Sequence, residues 1–100
     1  GSAIVTGENN MTYSGLITAQ AADELLQISG VEASYVITKR LDGRVGISAR
    51  STGQHNVQRV MESMGGGGHL SNAATQISDM TTEEVTEQLQ HILTENIEEQ

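Results

Sequence analysis

One hundred residues with 36% apolar side chains is the size and composition of one folded domain, and with no Phe or Trp its core must be aliphatic. The absence of cysteine excludes disulfides, zinc–thiolate sites and thiol nucleophiles. A net charge of −8, from 13 acidic against 5 basic residues, argues against a duplex nucleic-acid surface, but all five basic residues lie between positions 39 and 59, a layout compatible with a local anion site.

Gly1-Ser2 reads as a cloning remnant, and residues 3–6 (AIVT) as a short strand. No 18-residue apolar run is present, so nothing in this stretch reads as a membrane span. "ITAQAADELLQISG" predicts a helix with Thr18 as N-cap, with Ala22, Leu25, Leu26 and Ser29 at helical spacing and Gly30 as the stop. "VEASYVITKRLDGRVGISARS" predicts a hairpin turning at Asp42-Gly43. On its second strand Val45, Ile47 and Ala49 share one face, and Gly46, Ser48 and Arg50 share the other.

Val57, Val60, Met61 and Met64 fall at i, i+3, i+4, i+7 and predict a second helix, with Asn56 as cap and Gly65 as its left-handed end. "ATQIS" follows as a short strand. Thr81 and Glu84 then form a capping box for a last helix carrying Val85, Leu89, Ile92 and Leu93. Glu95, Glu98 and Glu99 oppose the dipole at its end, so the final turn should fray. The pattern β-α-β-β-α-loop-β-α predicts one compact α/β domain over residues 3–100, a mixed sheet packed with about three helices.

The four consecutive glycines 65–68, followed by His69, admit three readings. A linker would separate pieces each too small to fold alone. A helix stop accounts for Gly65 and leaves Gly66, Gly67 and Gly68 over. A phosphate cradle would use their backbone N–H groups, with His69 adding a side-chain donor and Arg50 a bidentate grip. The three histidines are dispersed, with His55 near a helix start and His91 on a helix face, and both are read as structural. No set of His and carboxylates is close enough in sequence to suggest a metal site, and no Ser/His/Asp arrangement is defensible from order alone. The chain reads as able to hold a phosphate, and no residue in it is assigned a catalytic or metal-ligating role.

"ISARS…NVQRVMESMGGGGHLSNAA", Ile47 to Ala74, resembles the C-terminal signature of the DHH phosphoesterase superfamily, in the module called the DHH-associated domain, type 1. The resemblance covers nearly all of the chain. Thr75 stands where the more common form has a glycine after the two alanines, and this variant looks like cyclic-di-AMP phosphodiesterases of the GdpP type.

The resemblance implies a division of labour. A separate DHH domain, N-terminal to this one in the same polypeptide, would hold two manganese ions, and this domain would grip the nucleotide across a cleft. By motif position Arg50, Gly66, Gly67, Gly68 and His69 would bind substrate phosphate, with Ser48 and Asn72 as neighbours. Cyclic di-AMP or its linear product pApA would be the ligand. The parent would be anchored at the cytoplasmic face of a bacterial membrane, with homodimerisation open. Two further readings stay open: an RNA-end or single-strand reader of the nanoRNase or RecJ kind, and a non-catalytic dimerisation module.

Overall fold

The computed structural model describes residues 1–8 and 10–98. Five strands form one mixed sheet: β1 (Ser2–Thr6), β2 (Ala33–Lys39), β3 (Val45–Ser51), β4 (Gly67–Gly68) and β5 (Asn72–Ile77). Their spatial order is β1-β2-β3-β5-β4, with β1 parallel to β2 and every other pair antiparallel. Three helices complete the α/β domain: α1 (Gly15–Leu25), α2 (Val57–Ser63) and α3 (Thr82–Glu98).

The two faces of the sheet differ in chemistry. Tyr35, Ile37, Val45, Ile47, Ala49 and Ala73 meet Val57, Val60, Met61, Val85 and Leu89 in the main core, beneath α2 and α3. The opposite face carries Ser34, Thr38, Ser48 and Arg50 and is covered by α1 only over β2 and β3. The Thr18 and Thr38 hydroxyls, both buried, lie 2.8 Å apart, and the Ser34 hydroxyl donates to the Ala22 carbonyl at 2.7 Å. The Thr18, Thr38 and Ser34 hydroxyls are thus satisfied, as burial requires. Beyond α1 the outward face of β5 (Asn72, Ala74, Gln76) is exposed.

Several local expectations change. The N-cap of α1 is Ser14, whose hydroxyl accepts from the Ile17 N–H at 3.2 Å, rather than Thr18. Thr18 sits inside the helix, where its hydroxyl is used by Ser14 and Thr38. The helix ends at Leu25 and turns on to Gly30, which has φ +88°, so Gly30 closes the turn and not the helix. Strand β5 starts at Asn72, two residues before the expected strand, because Asn72 and Ala73 pair with Arg50 and Ala49 of β3, and Ala73 also pairs with Gly68 of β4. Other signals were sufficient: Asn56 caps α2, Gly65 is left-handed at φ +88°, and Thr81 and Glu84 exchange both capping-box bonds, at 3.0 and 3.1 Å. The fraying expected around Glu98 and Glu99 rests on side chains outside the described residues. His55 and His91 are exposed, each facing a carboxylate, Glu32 at 3.6 Å and Glu95 at 2.8 Å.

Thr75, the departure from the commoner glycine, has a definite job in the core. Its hydroxyl donates to the Met64 carbonyl at 3.0 Å, and the residue is 4% exposed. That carbonyl lies at the end of α2, where helices leave acceptors unpaired. Thr75→Val keeps the shape and removes the donor, so it should cost about 1–3 kcal/mol, the desolvation penalty of an unpaired buried acceptor. Chemical denaturation of the two forms checks this, with an unchanged slope and a lower midpoint expected.

Candidate functional site

The glycine run is part of the sheet. Gly67 lies opposite Ala74 and Gly68 opposite Ala73 in a two-residue edge strand. His69 and Asn72 close the hairpin, with the His69 N–H on the Asn72 carbonyl at 2.7 Å and the reverse bond at 3.4 Å. Side chains directly opposite one another in a ladder share a face. Gly66 and Gly68 therefore look toward the α2 side, and Gly67 looks toward the Arg50 side with Ala74 and Ser48.

Space around each glycine follows that alternation. A Cβ on Gly66 would collide with the Ala74 carbonyl and the Thr75 side chain and come within 2.7 Å of the Thr75 Cα. On Gly68 it would meet the Ala73 Cα and the Asn72 carbonyl oxygen, each at 2.5 Å, and φ there is +144°. On Gly67 it would meet nothing within 4 Å. Two of the glycines are thus required by close backbone packing, and the one between them leaves bare main chain on the open face.

The amides of Gly66, Gly67 and Gly68 do not all face one point. The Gly66 N–H donates to the Met61 carbonyl at 2.8 Å, and the His69 N–H is held within the hairpin. Since His69 and Asn72 exchange both their bonds, alternation along an antiparallel ladder makes Gly67–Ala74 the next bonded pair. Only Gly68 then turns its N–H to the free edge of the sheet. The run is a rigid, side-chain-free ledge with one outward amide.

Arg50 stands beside that ledge. It pairs with Asn72 across β3 and β5, and Asn72 pairs with His69, so Arg50, Asn72 and His69 form one row across the hairpin. Its guanidinium is fixed on two sides: Nε donates to Asp23 Oδ1 of α1 at 2.7 Å, and Nη1 donates to the Ala49 carbonyl at 3.0 Å. The side chain is only 12% exposed. Arg50 is therefore no freely solvated surface residue. Its Nη2 makes no hydrogen bond among the described residues, which leaves one edge of a positioned guanidinium for an acceptor.

A cleft of about 250 Å³ runs along the flank of α1 on this face. Its walls include Gly15, Thr18, Arg40, Ser48, Arg50 and Asn72. Of the residues named from sequence, Ser48, Arg50 and Asn72 line it directly. Gly67, Gly68 and His69 lie beyond its β5 side through the register, and Gly66 lines a neighbouring cleft of about 350 Å³ with Gly65, Arg44, Ala74 and Gln76. Arg40 and Thr38 line the cleft beside α1 too, beyond the residues expected from sequence. Alternation along β2 places Ser34, Thr38 and Arg40 on the Arg50 face, and that was the available signal. Among the described residues no three His, Cys, Asp or Glu side chains cluster as a metal site, so manganese has no fitting donor set here. No described helix is long and apolar enough to cross a membrane.

Comparisons with known proteins agree on one family. Residues 3–99 match the DHHA1 domain. The chain is 57% identical over 89 residues to the cyclic-di-AMP phosphodiesterase PdeA of Listeria monocytogenes, covering 89% of this chain and 14% of that protein. It is 55% identical over 93 residues to the cyclic-di-AMP phosphodiesterase GdpP of Geobacillus thermodenitrificans, covering 93% of this chain and again 14% of the relative. The chain thus spans about one seventh of these relatives. Among solved structures, a pGpG-specific phosphodiesterase, PggH, from Vibrio cholerae shares the fold at a TM-score of 0.52 and 17% identity, over 65% of this chain and 23% of that one.

Proposed function

The chain belongs to the DHHA1 domain family, and from that premise we propose that it is the phosphate-gripping lobe of a phosphodiesterase that converts cyclic di-AMP to pApA. One observation carries the reading. Arg50, held by Asp23 and the Ala49 carbonyl with Nη2 unbonded among the described residues, lines the cleft with Asn72, in one row with His69. A guanidinium fixed before the ligand arrives loses little entropy on binding and suits a phosphoryl group. The names of the relatives supply the substrate class.

In this reading the domain positions substrate, and metal-assisted attack on phosphorus belongs to a DHH domain elsewhere in the parent, with manganese activating the water there. Arg50 and Asn72 hold one phosphoryl group, Gly67 lets the ligand lie against main chain, and the Gly68 N–H and His69 contribute at the rim. The membrane-anchored parent and its homodimer remain part of the same proposal. Two or three charge-assisted hydrogen bonds at about 1.5–3 kcal/mol each correspond to millimolar-to-micromolar affinity, about −4 to −8 kcal/mol.

Amide NMR titration of the 100-residue chain with cyclic di-AMP and with pApA tests this. Signals of Arg50, Gly67, Gly68, His69 and Asn72 should move, and no hydrolysis product should form even with manganese added. Shifts confined to α3 and β1, or none at millimolar ligand, would sink the proposal.

A further inference from the structure

The phosphate grip at Arg50 leaves a second cation in the same cleft unused. Arg40 follows β2 and crosses back over β3. A Cβ on Gly46 would lie 3.2 Å from its Cδ and 3.3 Å from its Cγ, and one on Gly15 would lie 3.1 Å from its Nη1. Two glycines on different elements thus make room for this one side chain, which is 28% exposed.

Its hydrogen bonding is unfinished. The Arg40 Nε is sealed from solvent with no hydrogen-bond partner. The carboxylate paired with it, Asp42 Oδ2, is 3.7 Å away, beyond hydrogen-bond reach. Asp42 is committed elsewhere: Arg44 donates to it from Nη2 at 2.7 Å, from Nε at 3.1 Å and from its backbone N–H at 3.0 Å. Those bonds hold the Asp42 carboxyl below its usual range. No side-chain nitrogen of Arg40 makes a hydrogen bond among the described residues, whereas Arg44 and Arg50 each make two. A half-buried guanidinium with five donors and no acceptor is an incomplete arrangement.

The spacing suits a two-anion ligand. Gly46 and Arg50 are four residues apart on β3, about 13 Å along the strand. The anchors of the two guanidinium groups on α1, Gly15 and Asp23, are eight residues apart, about 12 Å along the helix. Between them the floor is made of small side chains, Ser48 and Ala74. We infer that Arg40 holds a second phosphoryl group, so that the cleft takes a ligand in which one nucleoside separates two phosphoryl groups. The inference rests on the reading of Arg50 given above.

The test compares pApA, with two phosphoryl groups, and ApA, with one, by calorimetry on the wild-type chain, Arg40→Gln and Arg50→Ala. Arg40→Gln should weaken pApA at least tenfold and leave ApA within twofold, while Arg50→Ala weakens both. Loss at Arg50→Ala with pApA unchanged in Arg40→Gln, or equal loss of both ligands in Arg40→Gln, overturns the second subsite and leaves the first standing. Indifference of both ligands to Arg50→Ala, or no binding of either to wild type at millimolar concentration, overturns the first and the second with it. Wild-type amide signals give a check independent of any variant's folding: Gly15 and Gly46 should shift with saturating pApA and stay still with ApA. Silence there under pApA refutes the inference.

Discussion

Gly66→Ala is expected to lower the melting temperature by roughly 12–24 °C, from an overpacking cost of about 3 kcal/mol and about 4–8 °C per kcal/mol in a domain of this size. The added methyl group would press on the Ala74 carbonyl and on the Thr75 backbone and side chain, and backbone cannot rotate out of the way. Relief requires β4 to lift from β5, which would draw the Gly66 N–H off the Met61 carbonyl and loosen the end of α2. Gly68→Ala should fall in the same range, because it combines a close approach to Ala73 with φ +144°.

Gly67→Ala is the contrast within the same run. Its Cβ enters open space and its φ is not in the left-handed region. Removing a glycine at such a position stiffens the unfolded chain and adds about 0.4–1 kcal/mol of stability. Thermal melts of the three alanine variants therefore separate packing from function at neighbouring positions. Gly67→Val extends the comparison: it should fold, yet place bulk on the Arg50 face and weaken pApA. Equal thermal losses at 66, 67 and 68 would mean that the run acts as a featureless loop and that the alternation described above is wrong.

That alternation marks how far the sequence could be read. Asp42-Gly43, Asn56, Gly65 and the Thr81/Glu84 box each act through bonds within four residues, so a local signal sufficed. Strand β4 depends on Ala73 and Ala74, its pairing partners, and four glycines carry no β pattern of their own. The cap of α1 failed for a related reason. Ser14 and Thr18 are both competent caps, and Thr18 was drawn inside the helix by Thr38, twenty residues away. At the site, Ser48 and Arg50 were legible from the period of one strand. Alternation along β2 marks Arg40 for that face too, whereas Asp23 becomes a partner of it only through the packing of α1 on β3.

Arg50→Ala should weaken pApA about 10- to 150-fold, since losing one charge-assisted bond of about 1.5–3 kcal/mol is tenfold per 1.4 kcal/mol. Folding should suffer as well, which a solvated arginine would not cause. The stem is buried against α1, and an ion pair whose acid partner, Asp23, is 59% exposed adds a screened contribution. Together these come to about 1–2 kcal/mol. Asp23→Asn separates the two effects. It removes the competing carboxylate while leaving a neutral acceptor for Nε, so stability should drop by less than in Arg50→Ala and pApA should bind as well as before or more tightly. Arg50 would be a structural strut alone if calorimetry found pApA binding unchanged in Arg50→Ala while both variants lost the same stability. A dinucleotide that binds the folded Asp23→Asn variant and fails on the folded Arg50→Ala variant identifies the guanidinium edge as the grip, because the two substitutions break the same ion pair and only one removes the donor.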